Sequence, residues 1–240
     1  MSHIPAKKCP YSCVYCQLGG GYRQIVARSA FYDSKNIIDE VKVRVEQVIN
    51  AGESIDYVTL VPDGEPTLDQ NLGAMIRGVQ PVGLRVAVMT NASLISRLDV
   101  RNDLSYADLV SIKVDSVDKH VCRKVNRPYR SLALERILDG ILEFAHDYRG
   151  ELITETMLVR DVNDDEGCVN RVAQFLSLMG PARAYVAIPT RPPALAWAVP
   201  TEAASLNTAY QVMRQKVGQA EYLIGYEPKF DSVWAHAEWP

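Results

Sequence analysis

Six short runs rich in β-branched residues punctuate the chain, and helical patterns lie between several of them. The runs are 56–61 (DYVTLV), 84–90 (LRVAVMT), 108–114 (DLVSIKV), 151–159 (ELITETMLV), 184–188 (AYVAI) and 221–225 (EYLIG). Each has the length and composition of a strand. Ile37, Val41, Val45 and Val48 recur at helical spacing, with Asp33 or Ser34 as cap. Leu134, Leu138, Ile141, Ala145 and Tyr148 form a stripe opened by Ser131 and closed by Gly150; Val169, Val172, Leu176 and Met179 form another, and Leu206, Tyr210, Met213 and Val217 a third. Strands that alternate with helices pair in parallel. The expected fold is α/β: a partial or closed parallel β/α barrel of about six βα units, with an open doubly wound sheet as the alternative. A length of 240 residues suits one domain over residues 1–240. Pro192, Pro193 and Pro200 mark a stiff loop after the fifth strand.

In such folds function gathers at the carboxyl ends of the strands. Those ends read PDGEPT (62–67), TNAS (90–93), KVDS (113–116) and IPTRPP (188–193), and Glu155 sits between apolar neighbours in the fourth strand. Side chains alternate along a strand. Ser111, Lys113 and Asp115 therefore share one face of the third strand, opposite Val110, Ile112 and Val114, and Ile153, Glu155 and Met157 share a face of the fourth. With the polar face inward, Lys113 and Glu155 meet in the barrel as candidate catalytic residues. Lys113 there binds a substrate carboxylate or forms a Schiff base; a structural salt bridge, or a solvent-facing Lys113, is the alternative.

A net charge of −3 gives no global basic field for nucleic acid or membrane. Two local basic clusters stand out, Arg123, Lys124, Arg127 and Arg130, and Lys7, Lys8, Arg23 and Arg28, with Arg191 alone in the fifth strand-end loop. They read as solvated surface charge, or as contacts for RNA phosphates or an acidic electron donor. The opening MSHIPAKK has no apolar run of signal length, and no later segment has the character of a membrane span. The expectation is a cytoplasmic protein with reduced thiols and no membrane partner. His120, His146 and His236 have no evident partners, and His120 is expected at a surface turn.

Three of the five cysteines, Cys9, Cys13 and Cys16, fall in the stretch CPYSCVYC, followed by Gly19, Gly20 and Gly21. Cys122 and Cys168 are solitary and read as small buried hydrophobes. The bunching argues for a metal site over a disulfide framework. Iron–sulfur clusters usually take four thiolates, so three on one loop leave an iron open to a small molecule. A structural zinc with His3 as fourth ligand is the alternative.

The spacing C-x-x-x-C-x-x-C with its aromatic, glycine-rich sequel resembles the radical S-adenosylmethionine superfamily, and GEP (Gly64, Glu65, Pro66) is similar to that superfamily's glycine-rich element. CVYCQLG, VPDGEPTLD, TNASL, NRP (126–128), ETMLV and IPTRPP resemble the branch related to the wyosine-type tRNA-modifying radical enzymes. The resemblance implies a [4Fe–4S] cluster on Cys9, Cys13 and Cys16, with S-adenosylmethionine as cofactor. It implies Tyr15 beside the adenine, Gly64 and Glu65 at the methionine end, and Asn91, Asp115 and Ile188 framing ribose and adenine. The implied activity is reductive cleavage to a 5′-deoxyadenosyl radical that abstracts hydrogen from a tRNA base or small molecule. A one-electron donor such as ferredoxin or flavodoxin is the implied partner. An enzyme installing a glycyl radical on a partner protein, or a non-catalytic cluster or zinc module, are the other readings. Eight residues precede Cys9 and none is a cysteine, whereas the wyosine enzymes carry a strand and a second cluster's cysteines there. The chain is therefore expected to be short at both ends for that branch, with its first strand missing or supplied differently.

Overall fold

A computed structural model describes residues 3–20 and 24–223. Gly21, Tyr22, Arg23 and His236 lie outside the described residues, as do Ile224 and Gly225 of the expected sixth strand. The element order is α1 (Ser34–Asn50), β1 (Tyr57–Leu60), α2 (Leu72–Val79), β2 (Arg85–Thr90), α3 (Leu98–Leu104), β3 (Leu109–Lys113), α4 (Lys119–Val125), α5 (Leu134–Asp147), β4 (Glu151–Met157), α6 (Glu166–Met179), β5 (Arg183–Ala187), α7 (Ala203–Val217) and β6 (Ala220–Leu223). All six strands join one parallel sheet in chain order, β1 to β6. Among the described residues β1 and β6 do not pair, so the sheet is an open, partial β/α barrel rather than a closed one or a doubly wound sheet. No helix among the described residues is long and apolar enough to cross a membrane.

Alternation decides which way each strand faces. Val58 and Leu60, Val86 and Val88, Val110 and Ile112, and Ala184 and Val186 are buried in the same core as Val41, Leu72, Ile76, Leu104, Ile141, Leu176 and Met213 from the helices. The opposite face of the curved sheet carries Thr59, Lys113, Ile153, Glu155, Met157 and Tyr185, all half-buried. The strands thus turn a mainly apolar outer face to the helices, with Thr90, Thr154 and Thr156 buried in it, and a mixed inner face to the other side.

The helices follow their sequence signals with two shifts. Asp33 caps α1, accepting from the Lys35 amide at 2.9 Å. Val169, Val172, Leu176 and Met179 are all buried on α6. α5 is entered through Ala133 without a side-chain cap, so Ser131 does not open it, and the chain leaves it at Tyr148, two residues before Gly150. Its buried face runs through Leu134, Ile137, Ile141, Phe144 and Tyr148, while Leu138 and Ala145 flank it. The shift follows packing: Tyr148 donates to the Ala107 carbonyl at 2.8 Å and stacks on Phe144, which sets the rotation of the helix.

No strand precedes the cysteine loop within the described residues. Its support comes from isolated backbone contacts to the segment leaving β1. Lys8 bridges Gly64 in parallel, Glu65 N–H donates to the Lys8 carbonyl at 2.9 Å, and Lys7 N–H to the Asp63 carbonyl at 2.6 Å. Farther on, Ser29 bridges Asp69. The Arg28 side chain, 6% exposed, donates to the carbonyls of Thr67 and Asp69 and pairs with Asp99 at 2.9 Å and with Asp103. Arg28 is therefore a buried clamp and not part of a surface basic cluster. Ile4 and His3 are fully buried beneath the same segment, with His3 Nε2 3.4 Å from the Pro66 carbonyl. Burial holds the His3 imidazole down to about 4, so it is neutral.

At Gly64 a Cβ would run into the Lys8 carbonyl oxygen, which is backbone and cannot swing away. Gly64→Ala is expected to lose about 1–3 kcal/mol of unfolding free energy in denaturant titrations and to speed hydrogen exchange at the Glu65 amide; unchanged protection there would refute the brace. Asp69 gives a pH test. Its Oδ1 accepts from Asn71 N–H at 2.8 Å, its Oδ2 is buried without a partner, and burial pushes the carboxyl from the usual 3.8 up to about 6. The folded state thus holds the proton more tightly. The stability this adds is complete below pH 3.8 and lost as pH rises through 6. The unfolding free energy of wild type relative to Asp69→Asn should grow as pH falls across that window.

Candidate active site

The cysteine loop is threaded between two other loops at the carboxyl edge of the sheet. Ser12 N–H reaches the Asn126 carbonyl at 3.0 Å, Val14 N–H the Val125 carbonyl at 2.9 Å, and Leu195 N–H returns to the Val14 carbonyl at 3.0 Å. Val14 is buried in a small cluster with Val125, Val159 and Ala198. The stiff loop after β5 therefore lies on the cysteine loop, and Arg191 donates to Gln17. A turn closed by Cys16 N–H on the Cys13 carbonyl, 3.1 Å, draws those two residues together.

All three thiols are free and half-buried. Cys9 Sγ receives Asn91 Nδ2 at 3.1 Å and Tyr11 N–H at 3.4 Å, and Cys13 Sγ receives Asn126 Nδ2 at 3.6 Å. Burial pushes the Cys9 thiol well up, with Cys13 adding to it, and burial followed by Asp115 raises Cys13 to about 12. Cys9 and Cys13 thus stay protonated until a cation takes the place of the proton.

Glu65 is 1% exposed, and its carboxylate is bonded within the protein. Oε1 accepts Thr67 Oγ1 at 2.7 Å, Thr67 N–H at 3.2 Å and the Thr90 hydroxyl; Oε2 accepts Asn91 N–H at 2.8 Å. Burial raises its carboxyl against the pull of these donors. The side chain ties the exit of β1 to the exit of β2, and the half-exposed groups left at that edge are Gly64 and Asn91.

Asp115 is the second junction. Its Oδ2 accepts the Tyr15 hydroxyl and Asn126 Nδ2 at 2.6 Å, and its Oδ1 accepts Met157 N–H at 2.8 Å. Asn163 Nδ2 spans the carbonyls of Asp115 and Met157 at 2.9 and 2.8 Å, locking the ends of β3 and β4. Burial raises the Asp115 carboxyl despite Lys113 and these donors. Lys113 Nζ lies 2.6 Å from Glu155 Oε1 and 5.2 Å from the centre of the Tyr15 ring. Burial lowers the Lys113 ammonium, but the carboxylates of Glu155 and Asp115 outweigh it and keep the group charged.

The structure thus brings Cys13, Tyr15, Lys113, Asp115 and Glu155 together, and places Gly64, Glu65 and Asn91 beside Cys9. Ile188 stands one residue past β5, half-buried against the main core. Asn126, Thr67, Thr90 and Asn163 join the site without having been singled out. Asn126 was visible only within NRP, and Thr67 and Thr90 only as members of strand-end segments. Cys122 and Cys168 are buried, Arg123, Lys124, Arg127 and Arg130 are exposed, and His120 and His146 are exposed on α4 and α5.

A single zinc ion does not fit. No three His, Cys, Asp or Glu side chains among the described residues gather closely enough for one metal, and the ring of His3 is packed against Pro66. An iron–sulfur cluster makes a different demand, since each thiolate binds its own iron and the sulfurs need not meet at a point. Three half-exposed thiols on one loop, two of them facing amide N–H groups, fit that group.

The sequence matches the Radical SAM superfamily over residues 3–168. It is 39% identical over 219 residues to a UPF0026 protein of Methanocaldococcus jannaschii, covering 91% of this chain and 68% of the relative. A UPF0026 protein of Synechocystis is 36% identical over 185 residues, covering 77% of this chain and 67% of that one. The chain spans about two thirds of the length of these relatives. The structure of TYW1 with a lysine–pyruvate adduct bound superposes with a TM-score of 0.68 over 88% of this chain and 72% of that one, at 15% identity, a likeness of fold. By its match over residues 3–168 and its identity to these relatives, the chain belongs to the radical SAM superfamily of enzymes and, within it, to the UPF0026 proteins.

Proposed function

We propose that the chain, acting as one radical SAM domain over residues 1–240, holds a [4Fe–4S] cluster on Cys9, Cys13 and Cys16 and binds S-adenosylmethionine at its open iron. When bound, these groups supply reductive cleavage of S-adenosylmethionine and a 5′-deoxyadenosyl radical that takes hydrogen from a substrate. The observation that carries the proposal is the hydrogen-bonded continuity from Cys13 through Asn126 and Asp115 to Tyr15, with Lys113 over the Tyr15 ring.

Each residue has a task in that frame. Tyr15 is fixed at its hydroxyl by Asp115, so its ring offers a set apolar surface to the adenine. The half-exposed backbone at Gly64 receives the methionine end, on an edge that Glu65 holds rigid. Asn91, Asp115 and Ile188 frame the ribose and adenine. Lys113 and Glu155 face the substrate. Because its paired carboxylates keep Lys113 an ammonium, it serves as a cation for an anionic substrate group; a Schiff base would need the neutral amine. TYW1 has been solved with a lysine–pyruvate adduct, and here the ion pair with Glu155 favours recognition of the anion over adduct formation. The substrate is accordingly a small molecule or tRNA base with an anionic group near the reacting carbon. A ferredoxin or flavodoxin supplies the electron, in the cytoplasm, where thiols stay reduced.

Anaerobic reconstitution should yield about four irons per chain, and dithionite with S-adenosylmethionine should release 5′-deoxyadenosine; alanine at any of the three cysteines should abolish both. A colourless protein with one zinc would sink the proposal. Lys113→Met should keep the iron and the uncoupled release of 5′-deoxyadenosine, but lose stimulation of that release by added tRNA or a small-molecule cell extract. Loss of the uncoupled release would remove Lys113 from the substrate side of the site.

A further inference from the structure

Two side-chain amides stand at the thiols, and neither arises from local sequence. Asn91 follows β2, and Asn126 caps the end of α4; they are 82 and 113 residues from the cysteines they touch. The orientation of each amide is set by its other partners. Asn91 Oδ1 accepts Ser93 N–H at 2.9 Å, so the NH₂ group is the end that faces Cys9 Sγ. Asn126 Nδ2 lies 2.6 Å from Asp115 Oδ2, an acceptor, so its NH₂ group is again the end at Cys13 Sγ. Asn126 is buried, and its backbone is anchored by its own N–H on the Cys122 carbonyl and by Ser12 N–H on its carbonyl. Among the described residues no side-chain donor reaches Cys16.

We infer that Asn91 and Asn126 are positioning residues that set the electron affinity of the cluster, their N–H groups at the sulfurs of Cys9 and Cys13 making the bound cluster easier to reduce. The inference rests on the proposal that the triad holds a cluster. One-electron reduction by an acidic redox protein, or by dithionite in the test tube, adds one negative charge that is shared between iron and thiolate sulfur. An N–H dipole aimed at that sulfur stabilises the reduced form more than the oxidised one, and does so strongly where water is scarce. Two donors, one at the exit of β2 and one at the end of α4, would also make the cluster asymmetric, with the Cys9 and Cys13 corners favoured for the added charge over the Cys16 corner. Asn126 links this effect to the adenine side, because the same NH₂ group serves both Cys13 and Asp115.

The test is an EPR-monitored redox titration of anaerobically reconstituted protein, without S-adenosylmethionine, together with iron analysis. Asn91→Asp keeps an acceptor for Ser93 N–H and the backbone donor to Glu65, yet removes the N–H at Cys9. Asn91→Ser does the same without adding charge, since a serine hydroxyl can cap the following turn. Both variants, and Asn126→Ser, should retain wild-type iron and bind the electron roughly tenfold less tightly, about 59 mV to the negative for a one-electron couple. Iron-replete Asn91 variants with unshifted potentials would overturn the inference and leave the proposed function standing. Should Asn126→Ser lose iron, the Asn91 pair decides. A wild-type protein that takes up no iron overturns the inference together with the proposal beneath it.

Discussion

The buried carboxylate of Glu65 is the point on which the geometry of the site depends. A carboxylate at 1% exposure is tolerable only when its oxygens are well bonded. Four donors from Thr67, Thr90 and Asn91 meet that requirement, and in doing so they lock the exit of β1 to the exit of β2. The neighbouring Gly64 lets the Lys8 backbone approach closely, which hangs the cysteine loop on the same edge. Losing the Asn91 N–H would leave Oε2 without the donor described for it, at about 1–3 kcal/mol. This edge of the site is thus held by a polar junction.

Asp115 repeats the arrangement two strands over, at the ends of β3 and β4. It gathers Tyr15, Asn126 and the Met157 amide, and Asn163 binds the same strand ends from below. Two carboxylates, each raised by burial and each held by protein donors, therefore flank the cysteines. Lys113 supplies the compensating charge on the inner face, where Glu155 and Asp115 hold it as a cation. A half-buried cation thus lies beside a fixed aromatic ring, with its desolvation offset by the carboxylates around it.

Much of this was legible in the chain. Period-two alternation placed Lys113 with Asp115 and Glu155 on one face, and the structure has them so. All four residues of the α6 stripe are buried, and Cys168, Ala173 and Phe175 widen the face, since the helix packs on both α5 and α7. In the α5 stripe Leu134, Ile141 and Tyr148 are buried as expected, while Ile137 and Phe144 take the places of Leu138 and Ala145, because Tyr148 and Phe144 set the rotation through a contact with Ala107, 41 residues away. Arg28 looked like surface charge and is a buried clamp, since its carboxylate partners sit on a helix more than 70 residues on. The closed or open state of the barrel was likewise left open by pattern alone and is decided by the strand order, in which β1 and β6 are not neighbours among the described residues.

By itself the sequence determined the alternating βα plan, the identity of the three thiols and the polar character of the strand ends, because these depend on neighbours within a few positions. The tertiary structure alone decided what those groups do to one another. Asn91 reaches Cys9 across 82 residues and Asn126 reaches Cys13 across 113. Glu65, a candidate ligand by sequence, also brackets the site's edge through its bonds to Thr67, Thr90 and Asn91. Such contacts follow from how the sheet curves and which loops it brings to one rim, and no local spacing encodes that.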